Sequence, residues 1–284
     1  HTYTIADDFV PNNALLFDGV AGNYVQGPSL AGQITNDFTF ETWFRTTASD
    51  HRMMIALGDH LGGAGAQAQL KVNSNSVLFG VNAVSSVVSP SATYTDGSWH
   101  HAAGVYSGTL LTLYLDGELI DTTSAALSMD LSAFKIGDHS GGNLVWDGEL
   151  DNMRIWNVAR TQSEIIANAY NTLLSDTTLV VSYDFNSSSG TTLFDGTVNG
   201  LDGTLVGTPP AWVSSTAWDI DIFAPIFEAG YPTITNINEN DFDLTVQLNE
   251  EGTVYYVVLP DSVTVPSNDD IKAGTDGLGG AAVV

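Results

Sequence analysis

The stretch FTFETWFR, residues 38–45, alternates between apolar and more polar positions. In an extended chain Phe38, Phe40 and Phe44 lie on one side and Glu41 on the other, because successive side chains of a β-strand point to opposite faces. A period of two sustained over the whole stretch indicates a half-buried strand with its phenylalanines in a core.

The same alternation recurs further along the chain. LLTLYLDGELI at 110–120 alternates up to the dipeptide Asp116-Gly117, and both of these residue types tolerate the positive φ of a tight hairpin turn. LVVSYDF at 179–185 continues the pattern. These segments predict a protein built largely from antiparallel strands.

One segment has a different period. RTQSEIIANAYNTLL at 160–174 places Thr161 and Glu164 at the spacing of a capping box, followed by an apolar stripe of helical period. A single short helix among many strands is typical of a sandwich. We therefore predict an all-β fold: a two-sheet antiparallel jelly-roll sandwich with one short helix.

The composition excludes several classes of partner and site. Seven basic against 33 acidic residues give the 284-residue chain a net charge of −26, which opposes binding to nucleic acids or anionic membranes and makes cation binding plausible. The absence of cysteine excludes disulfides and thiolate metal sites. No apolar stretch is long enough to span a membrane, and residues 1–10 lack the features of a signal peptide. An acidic, cysteine-free chain rich in Asn, Gly, Ser and Thr favours a secreted or bacterial cell-surface location.

A domain boundary is predicted near residue 222. The segment DIDIFAPIFEAGYPTI contains Pro225 and Pro232 and separates two runs of strand-like sequence. We divide the chain into an N-terminal tail (1–10), a large domain (11–222) and a small C-terminal β module (223–284).

Several motifs together resemble a known family. ALLFDGVAGNYV (14–25), FTFETWFR, DGSWHHAAGVYSGTLLTLYLDG (96–117) and GELDNMRIWNVARTQSEI (148–165) are similar to the laminin G-like, concanavalin A-like domains of bacterial secreted proteins, with pentraxins as distant relatives. The resemblance spans about 14–220, and residues 233–259 resemble a partial fibronectin type III or immunoglobulin-like module. The resemblance over 14–220 implies the jelly-roll fold, which is found in lectins, glycanases, adhesive modules and spacers alike.

The motif GELDNMR bears on catalysis and on metal binding. β-Glucanases of this fold carry a third carboxylate after Glu-x-Asp, whereas Met153 and Arg154 stand in those places here. The resemblance implies instead a calcium ion near this acidic pair. The loop FDGVAGN (17–23) adds oxygen-bearing side chains, although Asp-Gly is also an ordinary turn. The predicted calcium ligands are Asp18, Asn23, Asp151 and Asn152.

Two loops share the sequence Gly-Asp-His. GDHLGG (58–63) and GDHSGGNLVWDG (137–148) could meet at one end of the sandwich and form a ligand pocket or a zinc site; the alternative is that both are strand-ending turns. A tryptophan in the second loop could stack against a sugar or cap the sandwich. The candidate ligand-binding residues are Asp59, His60, Asp138, His139, Trp146 and Asp147.

The remaining polar groups favour structural roles. His100 and His101 lie within a predicted strand without a nucleophile motif, and the loop GTVNGLDG (196–203) with its flanking Asp195 has ordinary turn chemistry rather than calcium-loop spacing. Glu41 with Glu149 is the one carboxylate pair that we can nominate for catalysis.

The function predicted from the sequence is binding without catalysis. We expect a calcium-stabilised binding or adhesion module of a secreted or surface-attached modular bacterial protein. Its partners would be a polysaccharide or surface glycoprotein and the neighbouring domains of its own chain, with no nucleic acid and no membrane insertion. The alternatives are a polysaccharide-degrading enzyme and a structural spacer.

Overall fold

The computed structural model describes residues 13–58, 68–81, 85–91, 94–125, 134–139, 142, 144–169, 176–187, 189–208 and 210–217, and the backbone of 233–235 and 243–245. The chain divides into two units, His1–Phe223 and Ala224–Val284. No helix within the described residues has the length and apolar character needed to cross a membrane.

The first unit contains sixteen strands and one helix among its described residues. In chain order they are β1 (Asn13–Asp18), β2 (Tyr24–Gly27), β3 (Phe38–Arg45), β4 (Arg52–Leu57), β5 (Ala68–Asn73), β6 (Ser76–Val81), β7 (Ser85–Val88), β8 (Trp99–Ser107), β9 (Leu110–Leu115), β10 (Glu118–Ser124), β11 (Phe134–Ile136), β12 (Asp147–Trp156), α1 (Gln162–Asn168), β13 (Leu179–Tyr183), β14 (Thr192–Leu193), β15 (Gly203–Val206) and β16 (Ala211–Ser214).

These strands form two eight-stranded sheets in which the paired strands are antiparallel. Sheet A has the order β10-β9-β8-β3-β12-β1-β16, with β13 also paired to β12; sheet B has the order β14-β15-β2-β11-β4-β5-β6-β7. At the edge of sheet A the first and last strands of the sandwich are neighbours, with Asn13 opposite Ser214. The predicted all-β sandwich with one short helix is confirmed.

The main core lies between the two sheets. Phe38, Phe40 and Phe44 all belong to it, as the alternation in β3 predicts, and the Phe40 ring meets Phe79 of sheet B edge-on at 5.2 Å between centroids. Gly104 of β8 gives this aromatic pair its space, because a Cβ at that position would lie 2.7 Å from the Phe79 ring. The phenylalanines therefore join the two sheets.

The outer face of sheet A is also buried. A second apolar cluster contains Ala14, Trp43, Trp99, Ala169 and Ala217, which brings the end of α1 and the residues after β16 onto this face. The Trp43 indole nitrogen donates a hydrogen bond to the Ala169 carbonyl at 3.2 Å. The prediction that β3 is only half-buried is therefore wrong, because the helix and the C-terminal segment cover its second face.

Helix α1 begins as the sequence predicts. Thr161 caps it: its side chain accepts a hydrogen bond from the Glu164 backbone N–H, and the Glu164 carboxylate accepts one from the Thr161 N–H. The helix ends after two turns, and Arg154 of β12 donates a hydrogen bond to the carbonyl of its last residue, Asn168, at 2.7 Å. This bond fixes the C-terminal end of α1 to sheet A.

In the second unit the described backbone forms one antiparallel pair, β17 (Thr233–Thr235) with β18 (Asp243–Thr245). The predicted immunoglobulin-like module lies mostly outside the described residues, as does the tail 1–10, so both stay predictions.

Candidate functional site

Asp18 and Asn23, two of the predicted calcium ligands, lie together at the end of β1. The Asn23 side-chain amide donates to both carboxylate oxygens of Asp18, at 3.0 and 3.2 Å, and the Val20 N–H donates at 3.0 Å. These hydrogen bonds lower the pKa of Asp18, and the one from Asn23 has the largest effect. The Asn23 carbonyl oxygen accepts from the Thr208 N–H at 2.9 Å. The loop is thus held closed by its own side chains.

Asp151 and Asn152, the other two predicted ligands, lie elsewhere on β12. The strand register places Asp147 opposite Asp18, and Asp151 is four residues further along, or about 13 Å at 3.3 Å per residue. Calcium–oxygen distances are about 2.3–2.6 Å, so one ion cannot contact both Asp18 and Asp151. The prediction of a single four-ligand site is therefore wrong.

Asp151 has a structural environment of its own. It is fully buried, accepts a hydrogen bond from the Ser215 hydroxyl at 2.6 Å and another from the Asn152 N–H at 2.7 Å. Burial, the largest influence, raises its pKa to about 7. No group of three or more His, Asp or Glu residues within the described ranges is arranged to hold a metal ion. Calcium binding therefore stays a prediction, with the restriction that Asp18 and Asp151 cannot both be ligands of one ion.

The Gly-Asp-His loops are only partly described, since Asp59 and His60 lie outside the described residues. Asp138 is fully buried and closes its own turn by accepting from the N–H groups of His139 at 2.8 Å and Leu144 at 3.3 Å. Burial would raise the pKa of Asp138, but its hydrogen bonds with His139 and Leu144 outweigh that effect and lower it. Asp138 therefore holds the turn that follows β11, and a ligand pocket shared by the two loops stays a prediction.

Trp146 and Asp147 differ sharply in exposure. Trp146 is fully buried, packs edge-on against Phe44 at 6.2 Å between ring centroids, and donates its indole N–H to the Glu149 carbonyl at 3.4 Å. Because the ring is fully buried in the main core, it cannot stack against a sugar, and this candidate role is wrong. Asp147 is exposed and lies opposite Asp18.

The nominated catalytic pair does not form. Glu149 pairs with Arg45 and Glu41 with Arg154, and the two glutamates lie four residues apart in register, or about 13 Å along the strands between their Cα positions. Retaining glycosidases need about 5 Å between carboxyl groups and inverting ones about 6.5–9.5 Å.

Glu41 is also inaccessible. It is fully buried and accepts hydrogen bonds from the Arg154 guanidinium and the Trp156 indole, both at 3.3 Å, while His101 Nε2 lies 3.8 Å from its other oxygen. Burial lowers the pKa of His101, which favours the neutral imidazole. Arg154 also binds the end of α1, so this network holds the helix in place.

The outer face of sheet B carries a group of polar side chains that sequence reasoning missed. Four residues lie opposite one another in register: Gln26 on β2, Lys135 on β11, Ala56 on β4 and Gln69 on β5. Lys71 follows Gln69 by two residues on β5. The residues that alternate with them along the strands belong to the core: Ile55, Leu57, Leu70, Phe134 and Ile136. The residues opposite one another in register therefore face away from the core. We call Gln26, Ala56, Gln69, Lys71 and Lys135 the lysine face.

The central residues of the lysine face are buried. Ala56 is 1% exposed, Gln69 7% and Lys71 9%, whereas Gln26 and Lys135 are half-buried. The Lys71 ammonium donates to Gln69 Oε1 at 2.8 Å, and the Lys135 ammonium donates to the His139 carbonyl at 3.4 Å and lies 4.0 Å from the centre of the Tyr24 ring.

Comparison with known proteins places this architecture in a family. The family model described as "Concanavalin A-like lectin/glucanases superfamily" matches residues 18–166, more than half of the chain. Mouse pappalysin-1 is 30% identical over an alignment of 82 residues that covers 26% of this chain and 5% of that protein. The chain therefore spans a small fraction of the length of this curated relative.

Solved structures also align with this chain, and the first of them shares its fold. A proposed carbohydrate-binding protein from Bacteroides ovatus ATCC 8483 aligns with a TM-score of 0.56 and 16% identity over 72% of this chain and 60% of that one. The native heptameric pentraxin of Limulus polyphemus aligns with a TM-score of 0.44 and 18% identity over 55% of this chain and 81% of that one.

Proposed function

Since the chain belongs to the concanavalin A-like lectin/glucanases superfamily, we propose that it is a carbohydrate-binding domain without catalytic activity. The observation that carries this proposal is the state of Glu41, which is fully buried, paired with Arg154 and about 13 Å from Glu149. The sheet face on which a carboxylate pair was expected is covered by α1 and the residues after β16.

The lysine face is the proposed binding surface. Sugar hydroxyl groups both donate and accept hydrogen bonds, and this face has both kinds of partner. The Gln26 amide nitrogen donates to the carbonyls of Gly27 and Phe134, at 2.9 and 3.1 Å, which orients its own carbonyl oxygen to accept from a ligand. The two ammonium groups supply donors.

The similar fold of the Bacteroides ovatus protein supports this assignment, since that protein is itself a proposed carbohydrate-binding protein. We further propose that the domain serves adhesion or substrate targeting in a secreted or surface-attached modular protein. The acidic, cysteine-free composition supports that location. Detection of the native protein in the culture medium, or its loss from intact cells treated with protease, would test it.

Affinity electrophoresis of the whole chain through gels containing individual polysaccharides tests binding, in parallel with an assay for released reducing ends. We expect retardation by at least one polysaccharide and no release of reducing ends. Gln26→Ala should weaken that retardation about fivefold, the effect of losing one hydrogen bond of about 1 kcal/mol. Thr122→Ala, on the exposed strand β10 of the other sheet, is the control and should bind as the wild type does.

Two results would contradict the proposal. Release of reducing ends would identify an enzyme. Absence of retardation by a broad panel of acidic and neutral polysaccharides, with and without calcium, would leave the spacer function as the better explanation.

A further inference from the structure

The basic residues of the sandwich fall into two groups. Every arginine of the chain lies within 4 Å of a carboxylate: Arg45 of Glu149, Arg52 of Asp50, Arg154 of Glu41 and Arg160 of Asp176. Neither Lys71 nor Lys135 has such a partner among the described residues. In a chain with 33 acidic groups, two unpaired cations on one sheet face are unexpected from composition alone.

The geometry brings the two lysines close together. Lys135 lies opposite Ala56, Ala56 lies opposite Gln69, and Lys71 is two residues beyond Gln69 on the same face. Two strand spacings and two residues correspond to about 12 Å between the lysine Cα atoms. Because lysine has a flexible four-carbon stem, both ammonium groups can reach one ligand bound on the face of the sheet between the two lysines.

The environment of Lys71 leaves its charge poorly compensated. Its side chain is nine-tenths buried and its ammonium has one hydrogen-bond acceptor, Gln69 Oε1, among the described residues, whereas an ammonium has three donors. A buried charge without an opposite charge destabilises the fold. His51, whose buried Nε2 has no hydrogen-bond partner in the described part of the chain, is electrostatically coupled to Lys71. An anion from outside would satisfy this cluster.

We propose that Lys71 and Lys135 bind carboxylate groups of an acidic polysaccharide built from uronic acids. This rests on the proposed carbohydrate binding and specifies its ligand class. Uronic acid polymers carry one charge per acidic sugar, and their hydroxyl groups can hydrogen-bond to Gln26. A chain of net charge −26 repels polyanions in general, and nucleic acids most strongly because they carry about one charge per 1.7 Å of duplex. The ligand's negative charge is thus recognised locally at the lysine face.

Isothermal titration of the whole chain with oligogalacturonates and alginate oligosaccharides tests this proposal. The matched ligand control is the same oligogalacturonate after reduction of its carboxyl groups, which removes the charge and keeps the sugar backbone. We expect the acidic form to bind at least tenfold more tightly.

Variants separate recognition from folding. Lys71→Met and Lys135→Met should each weaken binding of the acidic ligand at least tenfold, and Lys71→Arg should retain it within a few-fold. Lys272→Met removes the same charge from the second unit and so controls for the change in net charge. The melting temperature of Lys71→Met should equal or exceed that of the wild type, because the variant removes a buried charge. If Lys71 served only to stabilise the fold, Lys71→Met would have a lower melting temperature than the wild type.

The outcomes distinguish this proposal from the more general one. Equal binding of the acidic and carboxyl-reduced ligands, or unchanged binding by both Met variants, would overturn the lysine proposal and leave carbohydrate binding intact. Equally tight binding of sulfated dextran would overturn the carboxylate assignment. Failure to bind any glycan would overturn both proposals.

Discussion

The buried carboxyl group of Asp151 should make the stability of the sandwich depend on pH. Burial raises its pKa from 3.8 to about 7, whereas the unfolded chain has an ordinary value. Between these two values the folded state holds a proton that the unfolded state has lost. The contribution of Asp151 to stability is therefore fully present below about pH 4, decreases as pH rises to about 7, and stays constant above that.

Replacement by asparagine removes this titration. The pKa difference of roughly 3 units corresponds to about 4 kcal/mol at about 1.4 kcal/mol per unit. This value is an upper limit, because an amide retains only part of the hydrogen bonding with Ser215 and Asn152. We expect Asp151→Asn and the wild type to have similar free energies of unfolding at pH 4. At pH 8 the variant should be more stable by up to about 4 kcal/mol.

Urea denaturation followed by tryptophan fluorescence measures this difference in the sandwich, because all six tryptophans lie within the first unit. Asp18→Asn is a control for which the pH dependence of the stability difference should have the opposite sign. The hydrogen bond from Asn23 lowers the pKa of Asp18, so its contribution is present above the ordinary pKa and is lost as pH falls. The reasoning is refuted if the difference between Asp151→Asn and the wild type is constant from pH 4 to 8, or turns against the variant as pH rises.

Three further predictions concern stability. Arg154→Met leaves Glu41 buried without its cation and should lower the free energy of unfolding by about 3–5 kcal/mol in urea denaturation; a loss below about 1 kcal/mol would contradict the importance of the pair. Gly104→Ala places a methyl group 2.7 Å from an aromatic ring of the other sheet and should cost about 1–3 kcal/mol, read from the same assay; an unchanged midpoint would show that the core accommodates it. Calcium added to EDTA-treated protein should shift the melting temperature of Asp151→Asn as it shifts that of the wild type, because Asp151 and Asp18 lie too far apart to share an ion; loss of the shift would restore the four-ligand site.

Local sequence patterns predicted the elements of this fold because each depends on near neighbours. The alternation at 38–45 placed its phenylalanines in the core, and the Thr161–Glu164 spacing located the start of α1. What alternation could not reveal was the cover on the second face of β3. That cover comes from residues more than 100 positions away, including Ala169 and Ala217.

The candidate site was harder to predict because it depends on register. The motif around Asp151 suggested a partner for Asp18, but antiparallel pairing placed Asp147 there instead. The lysine face had a weak local signal, one lysine at an outward position within each of the apolar strands AQLKVN (68–73) and FKI (134–136). Nothing in either segment shows that β4 lies between them, so their proximity emerges only in the folded sheet.

The pairing of β1 with β16 determines how the sandwich responds to mechanical load. Asn13 lies opposite Ser214, so the start of β1 and the end of β16 are adjacent at one edge, and the residues that follow β16 pack on the outer face of sheet A. Tension applied through the flanking chain would separate these two strands from that end, breaking their hydrogen bonds one after another instead of shearing them all at once. Adjacent entry and exit points also allow a domain to be inserted into a longer chain without distorting its host. In a protein anchored at one end, we expect this edge strand to detach first under force, while the lysine face on the opposite sheet keeps its shape.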